Sequence, residues 1–226
     1  MRTAILLPHW GRPKRLPHQL EALDKQSVKD FDVIVSNSNP EHDNYMARKI
    51  KLHNGGYKIY YRLDSNDVGA FRRFTISRDL SYDRYIWLDD DVNFGSNLVA
   101  DMYKQYEPNT YHSWYCWQIL GDYHDRIRVA HSSQPICYAG TGVSMIDRTI
   151  VDRPELYECP PEAVFIEDLW LTYVVDHVYK WQIKNLKIPN VKLGGSDSVA
   201  LYRTIAKSNY TKRQFMEDLR ARGWDK

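Results

Sequence analysis

The residues best suited to chemistry stand together at Asp89-Asp90-Asp91. Adjacent carboxylates repel, and two unit charges ~4 Å apart cost ~1 kcal/mol in water and several times more near a protein surface. Tyr85-Ile86-Trp87-Leu88, immediately before them, reads as a buried strand. A triplet of acids closing such a strand calls for a compensating cation. Hard divalent ions such as Mg²⁺ take oxygen ligands and bridge one or two carboxylates to a substrate's phosphates. Side chains alternate along a strand, so Asp89 and Asp91 are expected on one face and Asp90 on the other. The plainer reading of the same three residues is a solvated acidic turn.

The elements that must position these acids alternate between strand and helix signals, as in an α/β domain with an open, largely parallel sheet. Ala4 to Leu7 reads as a buried strand ended by Pro8, and Leu16, Leu20 and Leu23 recur at helical spacing. Phe31 to Val35 is a second apolar run, closed by the turn-forming Ser36-Asn37-Ser38-Asn39-Pro40. A weaker helix around Tyr45 to Leu52 breaks at Asn54-Gly55-Gly56, and Tyr57 to Tyr61 gives a third strand. Gly69 to Leu80 is a short arginine-rich helix before the fourth strand. Ligands on such sheets bind beyond the carboxyl ends of the strands. The polar clusters His9 to Arg12, Ser36 to Asn39, Asp64 to Asp67 and Asp89 to Asp91 all fall there.

The second half is less regular. Tyr111 to Ile119 is aromatic-rich, and Ile136 to Ile146 is strand-like with Gly140-Thr141-Gly142 at its middle. Ala163 to Ile166 precedes Glu167-Asp168, which open a helix through Val178; acids in a first turn suit the helix dipole. His177 lies in the apolar pattern of that helix and reads as a core or interface histidine. Gly194-Gly195-Ser196-Asp197-Ser198 is a loop. Thr211 with Gln214 forms a capping box ahead of Phe215, Met216 and Leu219, and Gly223 stands at the C-terminal cap position.

Composition excludes several classes. Lys plus Arg number 31 against 29 Asp plus Glu, a balance unlike that of a dedicated polyanion binder. The longest apolar runs are four residues, far below the roughly 18 that a membrane helix needs. Cys116, Cys137 and Cys159 are odd in number and form no C-x-x-C pair, which argues against a disulfide framework or structural zinc. The stretch from Met1-Arg2 to Pro8 is too short for a signal-peptide core, so a reduced, cytoplasmic setting is the expectation.

Three segments in order resemble the family 2 type of GT-A glycosyltransferases: Ile5-Leu6-Leu7-Pro8-His9-Trp10-Gly11-Arg12 with Leu16, Leu20, Gln26 and Asp32-Val33-Ile34-Val35; then Tyr85 to Asp91; then Phe165-Ile166-Glu167-Asp168-Leu169-Trp170-Leu171. The resemblance implies a single-domain GT-A, Rossmann-like fold, a mixed, mostly parallel sheet flanked by helices. It implies a nucleotide-sugar donor (a UDP-sugar is the common case) and Mn²⁺ or Mg²⁺. Carried onto this chain, Asp91 ligates the metal with Asp89 assisting, Asp90 contacts the ribose or the metal's water shell, and Asp168 is the general base. One base and direct attack imply inversion at the sugar carbon. The chain departs from the pattern at Gly11, where the family has Asn, and at Ser36-Asn37-Ser38-Asn39, where it often has an acid that reads the nucleobase.

Within this frame Pro8, His9, Trp10, Arg12, Asn37 and Asp67 are donor-side candidates. Asn37 can pair with a base edge, and Trp10 either flanks the base or packs over the sheet edge. Arg72, Arg73 and Arg78 either contact the diphosphate, for which guanidinium geometry is suited, or form an exposed helix face. Gly140, Thr141, Gly142 and Glu167 are acceptor-side candidates; the glycines either admit a close sugar or mark a β-bulge. Asp197 is either a further metal ligand or part of a plain turn. The expected division is a donor half over 1–98, an acceptor half over 99–200 and a basic helical tail over 201–226. That tail and the aromatic content make an acceptor glycan or DNA carrying hydroxymethylated bases the acceptor classes to consider. The competing readings are a sugar-phosphate nucleotidyltransferase, whose Gly-rich first loop is missing here, and a non-catalytic carbohydrate- or nucleic-acid-binding module.

Overall fold

The computed structural model describes residues 1–64, 69–129, 134–194 and 211–226. Its main sheet has seven strands: β1 (Thr3–His9), β2 (Asp32–Asn37), β3 (Ile59–Leu63), β4 (Arg84–Leu88), β6 (Thr110–Ser113), β10 (Val143–Asp147) and β11 (Gln182–Asn185), in the order β11-β6-β10-β4-β1-β2-β3. β3, β2, β1 and β4 run parallel, and β10 alone is antiparallel to its neighbours β4 and β6. The expected mixed, mostly parallel sheet in one domain is therefore what the chain forms. Two small sheets complete it: β5 (Val92–Asn93) with β12 (Lys192–Leu193), and β7 (Cys116–Ile119) between β8 (Arg126–Arg128) and β9 (Tyr138–Ala139).

Parallel strands covered on both faces read as continuous apolar runs, and β1 shows why. Ile5 and Leu7 face one layer, with Leu16, Leu20 and Leu23 of α1 (Leu16–Asp24) and Val99 and Met102 of α4 (Leu98–Gln105). Ala4 and Leu6 face the other, with Phe74 of α3 (Arg72–Asp79), Leu169 of α6 (Glu167–Tyr173) and Phe215 of the C-terminal helix α7 (Lys212–Ala221). The remaining helices are α2 (Asp43–Lys51) and α5 (Arg148–Val151). Gln26 is buried and clasps three backbone groups, donating to Ala22 and Gly95 and accepting from Val99.

Some expectations shift. Ile136 to Ile146 is two strands of different sheets, β9 and β10, with Gly140-Thr141-Gly142 as the crossing between them. The helix expected through Val178 is α-helical to Tyr173 and continues as a π-turn over Val174–Val178. The described part of the basic tail packs one face into the core and leaves the other exposed: Phe215, Met216 and Leu219 are buried and the predicted Thr211–Gln214 capping box is formed. No helix among the described residues is long and apolar enough to cross a membrane.

Candidate active site

The first acidic cluster is built where β4 ends against the β1 loop. β4 closes at Leu88, and Val92 N–H donates to the Asp89 carbonyl at 3.2 Å, so the acids occupy a turn. The alternation expected of a strand is thereby lost. Arg12 Nη1 lies 2.6 Å from Asp90 and 3.6 Å from Asp91, while Asp89 faces Arg73 Nη2 at 3.0 Å. The turn's backbone is held from several sides: Gln19 Nε2 donates to Asp89 O at 2.8 Å, Arg15 Nε to Asp90 O at 3.3 Å, and Asp89 N–H to Gly142 O at 2.9 Å. Burial pushes the Asp90 carboxyl up to about 6 despite Arg12, and burial together with the Asp89 charge raises Asp91.

Among the described residues no three His, Cys, Asp or Glu side chains gather tightly enough to hold a metal alone. The residues present nevertheless fit one that completes its shell elsewhere. The Asp89 and Asp91 side chains are 37% and 29% exposed, against 10% for Asp90. Two partly exposed carboxylates, each facing one guanidinium (Arg73 for Asp89, Arg12 for Asp91), suit an ion that takes its other ligands from phosphate oxygens and water.

The second cluster forms at the start of α6. Glu167 is buried; its Oε1 accepts from Thr141 Oγ1 at 2.8 Å and faces Arg73 Nε at 3.5 Å. Burial lifts Glu167 to about 7, partly opposed by Arg73. Asp168 Oδ2 accepts from Lys212 Nζ at 2.6 Å and from the Tyr138 hydroxyl, and Oδ1 accepts from Leu169 N–H at 2.8 Å. Burial and the Asp168 charge hold the Tyr138 phenol far above its ordinary value. For Lys212 burial acts downward, and Asp168 outweighs it to give a net rise. For Arg73 burial likewise acts downward and is outweighed by Asp89 and Glu167. Arg73 thus joins the two clusters. A Cβ added at Gly142 would sit 2.5 Å from Asp89 Oδ2, so glycine there lets the crossing strand lie against that carboxylate.

Several predicted residues take other places. Asn37 is buried, donating to Tyr61 OH at 3.1 Å and accepting from Asn39 N–H at 2.9 Å, so its amide helps to build the loop. Glu167 is buried, and the Thr141 hydroxyl donates to it. Arg72 and Arg73 are buried, which overturns the exposed-face reading for those two, whereas Arg78 is exposed and stacks on the Tyr157 ring at 3.9 Å. Burial lowers His9 to about 4, Pro8 is half-buried beside it, and Trp10 is half exposed. Gly140 abuts Tyr115, whose Cβ would lie 3.3 Å from an added Cβ. His177 is half-buried and stacks on Tyr173. Asp67 and Asp197 lie outside the described residues.

Tyr138 and Lys212 are the site residues that sequence reasoning missed. The one signal was Lys212 directly after the Thr211 cap, since a cation in a first helical turn opposes the helix dipole.

No protein-family model matches the chain, and no curated protein matches its sequence. Solved structures do match. The mannosyltransferase PcManGT from Pyrobaculum calidifontis, in complex with GDP-Man and Mn²⁺, superposes with a TM-score of 0.66 at 13% identity, covering 98% of this chain and 68% of that one. S. aureus TarS gives 0.62 at 13% identity over 98% of this chain, which spans only 42% of the TarS length. GalNAc-T7 with UDP, GalNAc and Mn²⁺ gives 0.60 at 13% identity, covering 81% of this chain and 42% of that one. These superpositions and the mixed, mostly parallel sheet give this chain the fold of the GT-A glycosyltransferases.

Proposed function

We propose that the protein is a metal-dependent glycosyltransferase that moves a hexosyl or pentosyl group from a nucleotide-sugar to an acceptor hydroxyl with inversion. The observation that carries this reading is the polar array Asp89–Arg73–Glu167 alongside Asp168 at the carboxyl end of the sheet. This reading takes Asp89 and Asp91, both partly exposed, as the cation's carboxylates and Asp168 as the base. The structural neighbours in complex with GDP-Man and Mn²⁺, and with UDP, GalNAc and Mn²⁺, support the same donor class and cofactor.

Asp91 and Asp89 would hold Mn²⁺ or Mg²⁺, which when bound neutralises charge on the departing diphosphate. Arg12 and Asp90 form the floor of the donor site, with Trp10 exposed at its rim. Asp168 accepts the acceptor's hydroxyl proton while that oxygen bonds to the anomeric carbon and the carbon–oxygen bond to the nucleoside diphosphate breaks. One displacement inverts the centre. The acceptor is a glycan or a hydroxymethylated base in DNA, and assay with each decides between them.

Thermal-shift screening of nucleotide-sugars with Mn²⁺ or Mg²⁺, followed by transfer assays on the hits, tests the reading. A donor that stabilises the protein only with the cation supports it; no donor binding and no hydrolysis points to a binding module. Asp168→Asn is expected to bind donor normally and lose transfer, and full turnover in that variant rules out the base assignment.

A further inference from the structure

We infer that Lys212 and Tyr138 are positioning residues that fix Asp168 so that a single acceptor site on its Oδ1 faces the incoming hydroxyl; the inference rests on Asp168 being the base. An ionised carboxylate offers about four acceptor positions, two on each oxygen. Oδ2 spends both of its positions on Lys212 Nζ and the Tyr138 hydroxyl. Oδ1 spends one on Leu169 N–H, leaving one that no other described residue takes. The carboxylate therefore cannot turn over without breaking a charged hydrogen bond.

The clamp is itself held from three elements. Lys212 donates to Tyr138 OH at 2.9 Å as well as to Asp168, closing a triangle between β9, α6 and α7. Thr172 Oγ1, one turn along α6, donates to the Asp168 carbonyl at 2.7 Å and accepts from Ala139 N–H at 3.1 Å, fixing β9 against the helix. Lys212 is mostly buried in the first turn of α7, where both desolvation and the helix dipole disfavour a cation. The Asp168 carboxylate offsets both. A lysine held there against two unfavourable terms has no surface role to explain it. The Tyr138 phenol, kept protonated by burial and by Asp168, is a fixed donor. Other titratable or charged groups facing this carboxylate are Glu167 on α6, with Arg73 behind it, and Tyr111 on β6; Tyr123 faces Lys212 and Tyr138.

The consequence is a role for the C-terminal helix in catalysis. α7 carries one buried cation to the base, so its seating sets the base's orientation. Removing that cation leaves Asp168 beside Glu167 without its strongest partner, and a misdirected base costs up to about 100-fold in rate.

The test compares Lys212→Met, Lys212→Arg and Tyr138→Phe with Asp168→Asn, using the transfer assay and donor titration calorimetry. Lys212→Met is expected to lower kcat by roughly 10- to 100-fold with donor affinity unchanged. Lys212→Arg should recover part of the loss. Tyr138→Phe, which removes one oxygen, is expected to lower kcat less and to leave donor affinity intact. A folded Lys212→Met protein with wild-type kcat, beside an inactive Asp168→Asn, overturns the inference alone. Full turnover in Asp168→Asn overturns both the inference and the base assignment. Should Lys212→Met fail to fold, Tyr138→Phe decides by the same kcat-against-affinity comparison.

Discussion

Arg73 spans the two acid clusters: its Nη2 meets Asp89 at 3.0 Å, its Nε faces Glu167 at 3.5 Å, and only 4% of its side chain is exposed. Breaking a buried ion pair by removing one partner costs about 3–5 kcal/mol, because the other charge is left uncompensated. Arg73→Met is expected to lose that much stability in urea denaturation. Arg73→Lys should recover only part, since an ammonium cannot reach both carboxylates along a planar fork.

Glu167 gives the protein a pH dependence of definite sign. Its folded value of about 7 lies above the ordinary carboxylate value, so the folded state binds more protons than the unfolded one between the two. Stability is therefore expected to fall as pH rises from about 4.5 to 7. Glu167→Gln keeps an acceptor for Thr141 and should flatten that fall, leaving a smaller slope below about 6 from Asp90. Denaturation midpoints across this range measure the difference, and an unchanged slope in the variant contradicts the assignment.

Gly142 is a place where one methyl group tests the acid turn. Its added Cβ would press on the Asp89 carboxylate at 2.5 Å while the backbone stays in its strand approach. Changes beside metal-ligating groups typically cost 10–100-fold in metal affinity. Gly142→Ala is expected to weaken Mn²⁺ binding on the order of tenfold with little loss of stability. Manganese titration followed by electron paramagnetic resonance reads this directly.

Gln26 supplies the converse case, a buried polar residue whose three hydrogen bonds are all structural. Gln26→Leu strands two carbonyls and an N–H and should cost on the order of 2–3 kcal/mol. Donor affinity per folded molecule should stay at wild type.

The sheet and the acid turn were legible because their signals are local. Ala4 to Leu7 and Tyr85 to Leu88 are unbroken apolar runs, and the acids follow the second one directly. The capping box at Thr211 was equally readable and is formed as expected. What escaped was set by distant partners. An arginine in a short helix reads as solvated, and only the joint approach of Asp89 and Glu167 makes the burial of Arg73 tolerable. Lys212 is 44 residues from Asp168 and counted only as tail charge until α7 packed its apolar face against the sheet. Asn37 looked free because its partner Tyr61 lies on the next strand. The alternation assumed for the acids failed because β4 stops one residue before them.

The most direct test of the account is calorimetric titration of a nucleotide-sugar identified by screening, with Mn²⁺ and with chelator, into the wild-type protein and Asp91→Asn. The account predicts binding by the wild type that requires the cation and is lost in Asp91→Asn. Equal binding by both proteins, or binding indifferent to the chelator, would contradict it.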